Sequence, residues 1–356
     1  MPSGSYERYG LTGNPFRDLA AESLEDVMIY HVNQAVDETL RTIREEVYDK
    51  ENRAVVAVTG PQGAGKTERL LVSAAEGRER KALVVYFDVT TKMPWVLRDL
   101  AATFQKSAKE AGHVKALGAP GWLRPLAGLA RSKDVQYDPK ETGQAVADAL
   151  NSAAPSLLLL NDLHNLVESA EVDSFAKMLE EVTDAIKPGV LVMFSCYGSY
   201  LAWLTVNHPA FATRINRAMA LVALSNEEAR LVLAKKLLAK RIVEDLDPTY
   251  PYDKEAVTEL NTAAHGNPRI FLELCDIVLE RAVATRAYRI DPELVRSSLT
   301  HREGVVVGGQ PVTSDAGRPL TKPSEAKEAS SAPARPERRR LWGKPKDPPA
   351  TSPRDS

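Results

Sequence analysis

The stretch Gly60-Pro61-Gln62-Gly63-Ala64-Gly65-Lys66-Thr67 fills every fixed position of the GxxxxGK[ST] pattern, and its residue types answer the needs of a bound triphosphate. Glycines let backbone N–H groups turn inward around phosphate oxygens, and a helix starting near Lys66 adds its positive end. Lys66 is expected to bridge the β- and γ-phosphates, with the Thr67 hydroxyl on Mg²⁺. Hydrolysis also needs a carboxylate at the tip of another strand. The apolar run Leu157-Leu158-Leu159-Leu160 ends in Asn161-Asp162 and supplies one. A third group is His265-Gly266-Asn267-Pro268-Arg269: Gly266 ends one helix, Pro268 opens the next, and Arg269 is held in the first turn, able to point back at a nucleotide.

These groups need a scaffold. Nearly continuous apolar runs at Ala54 to Thr59, Leu83 to Asp88, Ser156 to Leu160 and Val190 to Ser195 read as strands covered on both faces. They alternate with amphipathic stretches, which predicts an α/β core with a parallel sheet over residues 52–224. Before it, in residues 1–51, a helical pattern runs through Val36, Leu40, Ile43 and Val47 toward the phosphate loop. From Ser225 onward no strand-like run appears. Ser225 with Glu228 has the form of a capping box, and helices are expected from there and at Lys254 to Ala264, Pro268 to Ala284 and Pro292 to Leu299, making 225–300 an all-α lid domain. Between the second and third strands lies an excursion, 112–135, in which Gly118, Pro120, Gly121 and Pro125 break any single helix.

The 356 residues carry a formal charge of −2, so a surface basic everywhere is excluded and any nucleic-acid contact needs a local patch. Cys196 and Cys275 lack metal-ligand spacing and read as small buried hydrophobes. No basic segment followed by an apolar run opens the chain and no apolar stretch approaches a membrane span, so a cytoplasmic protein is expected. Residues 301–356 are rich in Pro, Ser and charge and are expected to be disordered. Within them Arg338-Arg339-Arg340-Leu341-Trp342 is either a solvated tail or a docking peptide for an acidic partner, nucleic acid or anionic lipid.

On the phosphate loop, the strand end and the His265–Arg269 turn, the chain resembles an AAA+ ATPase. It is most similar to the branch holding the secretion-assembly, transposition-helper and origin-recognition ATPases. The resemblance spans roughly residues 6–299 and includes no winged-helix module. It implies a P-loop NTPase core, ATP with Mg²⁺ as cofactors, and a homo-oligomer in the ATP state acting on a protein client. The branch usually carries Asp-Glu at the strand end, so Asn161 takes the metal-side position and Asp162 that of the water-orienting base. With the alternative shift, Asp162 is the metal-side acid and His164 or Asn165 stands near the water.

The resemblance further implies a first sensor at Ser195 with Cys196 as its neighbour, and Arg269 as the second sensor. Arg214, with Arg217 in reserve, becomes the arginine finger placed before a strand Leu221-Val222-Ala223-Leu224 that leads to the lid. Asn14-Pro15-Phe16 is expected against the adenine, with Tyr30 or Val32 as a wall. An ATPase with slow turnover, a nucleotide-sensing adaptor that never turns over, and a DNA-associated transposition or replication helper are the readings left open.

Overall fold

The structure is a computed structural model that describes residues 4–17, 31, 32, 34–90, 96–112, 120–131, 138–242 and 246–300. Tyr30, parts of the 112–135 excursion and the 301–356 tail with Arg338, Arg339 and Arg340 lie outside the described residues.

The four apolar runs become β1 (Ala54–Thr59), β2 (Leu83–Asp88), β3 (Ser156–Asn161) and β4 (Val190–Cys196), and every residue of β1, β3 and β4 is buried. With a fifth, β5 (Arg217–Ala220), they pair in parallel in the order β2-β3-β4-β1-β5. This order sets β4 between β3 and β1, so their carboxyl ends emerge side by side, where a ligand of an open α/β sheet is met. Register places Thr59 opposite Cys196 and Leu160 opposite Phe194.

The strand expected at Leu221 to Leu224 is displaced. β5 is Arg217–Ala220 and pairs only with β1. Three of its four residues are exposed and only Met219 is buried, so an edge strand leaves no apolar run to read. Leu221 and Leu224 are apolar for another reason. The chain descends past the phosphate loop there, with Leu221 N donating to Thr59 O at 2.8 Å and Leu224 N to Gly266 O at 2.8 Å.

Helices cover both faces of the sheet. Ala35–Tyr48 follows its predicted periodicity and buries Leu40 and Val47. In the described part of the excursion, a short turn at Gly121–Leu123 and a helix at Arg124–Arg131 bury Leu123 and Leu126 in the core over β2 and β3. Both cysteines are buried. Among the described residues no helix is long and apolar enough to cross a membrane.

After the sheet come helices Asn226–Leu238, Lys254–Ala263, Pro268–Thr285 and Pro292–Thr300. The capping box forms, with Glu228 N donating to Ser225 Oγ at 3.2 Å and Ser225 N to Glu228 Oε2 at 2.7 Å. These helices share an apolar cluster through Leu233, Leu260, Phe271 and Val278.

Tyr6, Tyr9, Leu11 and Phe16 belong to that same cluster, so the segment Asn14-Pro15-Phe16, expected against the adenine, docks on the helical region. Asn14 Nδ2 donates to Asp276 Oδ1 and Glu280 Oε1, both at 2.7 Å, and the Tyr6 hydroxyl also donates to Glu280. The short polar-aromatic segment is thus a clasp on the Pro268–Thr285 helix. Asn14→Ala strips the shared donor from two carboxylates and is expected to destabilise the fold by about 1–3 kcal/mol. Urea unfolding reads this, and an unchanged midpoint would deny the clasp a stabilising role.

Candidate functional site

The loop leaving β1 takes its shape from two left-handed turns, Gly63 at φ 79° and Gly65 at φ 91°. At Gly65 a Cβ would come within 2.5 Å of Arg69 Nη1, and at Gly63 within 2.7 Å of Arg269 Cβ and Asn267 Oδ1. Backbone conformation favours glycine at both, and at Gly63 the space does as well. The helix Lys66–Glu79 begins directly after the loop.

Lys66 is buried, and its Nζ donates to Gly60 O at 2.8 Å and Pro61 O at 2.9 Å, 4.7 Å from the centre of the Tyr197 ring. The Thr67 hydroxyl donates to Asn161 Oδ1 at 3.1 Å, and the Ser195 hydroxyl donates to the same oxygen at 2.8 Å. Asn161 Nδ2 in turn donates to Asp88 Oδ1 at 2.8 Å. Asp162 follows in the left-handed region, φ 54°, with its N–H donating to Ser195 Oγ at 2.7 Å. Nothing in composition or spacing marks Asp88. Only its register opposite Asn161 reveals it.

These elements bound one cavity of about 480 Å³. Gln62, Gly63, Gly65, Lys66 and Thr67 line its floor, while Gly60, Pro61 and Ala64 do not line it. Asp162, His164, Asn165 and Tyr197 form one end, with the His164 and Tyr197 rings 3.8 Å apart between centroids. Val32, Val232, Lys236 and Leu272 form another wall, and Arg269, half exposed with its Nε 3.4 Å from Glu273 Oε1, lines the cavity from the helical region. Among the described residues Val32 is the wall residue that the expected adenine contacts supply; Val232 and Leu272 of the helices after the sheet add further apolar lining.

Asn161 and Ser195 do not line the cavity. They lie beneath it and hold Asp162 and Thr67 in place. Cys196 is buried too, and burial pushes its thiol up to about 12, so it stays protonated. Arg214 lies at the other end of the sheet, paired with Asp184 at 2.5 and 2.9 Å and half exposed. Arg217 is exposed and donates to the Asn216 carbonyl.

Beside the loop a polar clasp, unsuspected from sequence, holds the Lys66–Glu79 helix. Buried Arg69 bonds Asp37 at 3.1 and 3.2 Å and Gln34 Oε1 at 3.0 Å. His31 Nδ1 lies 2.8 Å from Glu68 Oε1, and Lys235 donates to the His31 carbonyl.

Thr67 and Asp162, the two residues expected to hold Mg²⁺, both line the cavity. Hydroxyl and carboxylate oxygens suit this hard cation, which keeps waters and phosphate oxygens for its remaining positions. Among the described residues no group of three His, Cys, Asp or Glu could hold a metal alone. The donor set therefore fits an ion that arrives with its nucleotide.

A parallel sheet of this strand order, the glycine loop leaving the inner strand β1 and a helical region after the sheet define a P-loop NTPase fold of the AAA+ kind. Among solved structures the chain is similar to the Aeropyrum pernix ORC2 protein, at 15% identity and TM-score 0.51 over 77% of this chain and 71% of that one. It is likewise similar to Cdc6p from Pyrobaculum aerophilum, at 12% identity and TM-score 0.53 over 80% and 70%. No family model matches the sequence, and no curated protein matches it.

Burial raises the Asp162 carboxyl above its ordinary 3.8, against the pull of Lys66 and the Ser195 hydrogen bond. A raised folded-state carboxyl means that the native protein binds more protons than the unfolded chain between the two values, so ionisation there weakens the fold as pH rises. Asp162→Asn removes this penalty and is expected to raise the melting temperature at neutral pH, with the difference shrinking as pH falls toward 3.8. Thermal melts of both proteins across that range test it; a variant less stable at neutral pH would contradict the sign.

Proposed function

We propose that the chain is an AAA+ ATPase that grips Mg·ATP on residues 60–67 and uses binding, with slow hydrolysis, to switch the lid 225–300 against the core 52–224. The observation that carries this reading is the convergence of loop residues Gln62 to Thr67, the Asp162 carboxylate and Arg269, from three separate elements, on one cavity. Support comes also from the similar ORC2 protein, which is described in complexes with ADPNP and ADP.

In this reading Lys66 turns from the loop carbonyls to the β- and γ-phosphates, while loop amides and the helix end neutralise the rest. Thr67 and Asp162 would hold Mg²⁺, which would supply charge neutralisation to the phosphates. Arg269 registers the terminal phosphate from the lid side, and Ser195 positions the strand tip instead of touching nucleotide. Arg214 completes the site of an adjoining subunit once ATP drives assembly, which accounts for its place away from its own cavity.

Slow turnover follows from the strand tip. Asn161 adds no charge, and Asp162 stands where a longer carboxylate would orient water. The same observation favours a second reading, an adaptor that senses nucleotide without turnover. A DNA-associated helper remains a third, resting on the 338–340 arginines outside the described residues.

Fluorescent-nucleotide titration and phosphate release on wild type, Lys66→Ala and Asp162→Asn separate these readings. Loss of the ammonium is expected to weaken ATP binding about 10- to 100-fold. Asp162→Asn is expected to lower phosphate release by roughly 10²- to 10⁴-fold if Asp162 orients water. Equal release from all three proteins rejects the enzyme, and tight binding without release selects the adaptor.

A further inference from the structure

We infer that Asn267 is a positioning residue through which the phosphate loop sets the orientation of the Pro268–Thr285 helix, and with it the reach of Arg269. The inference rests on the nucleotide reading above but concerns a group that does not itself line the cavity.

Asn267 is buried and works in both directions. Its Oδ1 caps the helix by accepting from Arg269 N at 3.1 Å and Ile270 N at 3.2 Å. Its Nδ2 donates to the Gln62 carbonyl at 2.8 Å, across 205 residues of sequence. A carboxamide is required for this pairing. Aspartate would cap but has no hydrogen to give, and serine caps well but is shorter.

The Gln62 carbonyl and the Gly63 N–H belong to one planar peptide unit and point in opposite directions. Holding the carbonyl therefore fixes the line of the Gly63 N–H, and Gly63 lines the cavity floor. A phosphate oxygen that draws on this N–H rotates the peptide, and the rotation is felt at Asn267. Little slack lies between them, because a Cβ on Gly63 would stand 2.7 Å from both Asn267 Oδ1 and Arg269 Cβ.

The turn before Asn267 cannot absorb the movement. His265 and Gly266 are both left-handed, at φ 51° and 68°. Gly266 O accepts from Leu224 N at 2.8 Å, while Asn261 Nδ2 donates to Leu224 O at 3.0 Å. A Cβ on Gly266 would meet Ala223 Cβ at 2.6 Å. The helix is then the element free to respond. Over its 18 residues it extends about 27 Å at 1.5 Å per residue, so a small tilt at the cap becomes a larger displacement where Asp276, Glu280 and Ala287 hold the N-terminal segment.

Hydrogen exchange on full-length wild type, Asn267→Ser and Asn267→Thr, each with saturating Mg·ADP or Mg·ATP and without nucleotide, tests the link. Both substitutions keep a capping oxygen and remove the amide that reaches Gln62, so two variants guard against one that folds poorly. Wild type is expected to change its exchange at residues 268–272 and 280–287 on binding nucleotide. The variants are expected to keep wild-type protection without nucleotide and to lose that response, and their preference for ATP over ADP is expected to fall toward unity. A full response and an unchanged preference in both variants would overturn the inference. So would a wild type that binds nucleotide with no change along this helix, whereas a wild type that binds neither nucleotide overturns the proposed function itself.

Discussion

Burying one ammonium group is the constraint around which the rest is arranged. A lysine taken from water must be met by oxygen or it loses its proton. Lys66 is met by the carbonyls of its own loop and by the Tyr197 ring face. The loop can present those carbonyls because Gly63 and Gly65 turn left-handed, and it can be carried there because β1 lies inside the sheet with β4 and β5 on either side. The strand order and the glycine spacing thus serve a single electrostatic need. A bound triphosphate would offer the same ammonium stronger partners at the place where the loop amides already converge.

The second consequence is mechanical. Helix Lys66–Glu79 is fixed on one side by Arg69, Asp37 and Gln34, and its Glu68 touches His31. Lys235 from the helical region reaches the His31 carbonyl, and Asn267 reaches the loop. Among the described residues, polar bridges set around the cavity join the sheet to the helical region, and the apolar clusters of the two parts are distinct. Apolar packing within each part and hydrogen bonds between them suit elements that change their relative angle, because polar bridges exchange partners at smaller cost than a packed core repacks.

Much of this was legible in the residues alone. Four strands, the phosphate loop, the Ser225 capping box and the helices after it follow from patterns with a direct physical cause. An apolar run needs cover, a serine and a glutamate three residues apart satisfy two donors, and a proline opens a helix. What escaped has no local signature. β5 is exposed on most of its residues, so its pairing with β1 exists only once β1 is in place. Asp88 and Asn161 become neighbours through strand register, and Asn267 meets Gln62 through the fold of the entire chain. The segment Asn14-Pro15-Phe16 was legible as an element but not in its docking, since two acids on one face of the Pro268–Thr285 helix decide where its amide goes.

The asparagine at the strand tip acquires a reason from this network. Its amide faces Asp88 at 2.8 Å and Asp162 at 3.4 Å, while its oxygen takes hydrogens from Thr67 and Ser195. An aspartate there would set three carboxylates together beside a single lysine, and like charges at such distances cannot all remain ionised. A carboxamide gives two hydrogens to its acidic neighbours and takes two from the hydroxyls, so each polar group in the cluster is answered. Asp88, which receives one of those hydrogens, ends β2 one strand away. Asn161 therefore joins the tips of β2 and β3 by hydrogen bonds, keeps Thr67 oriented and leaves Asp162 as the carboxylate facing the cavity.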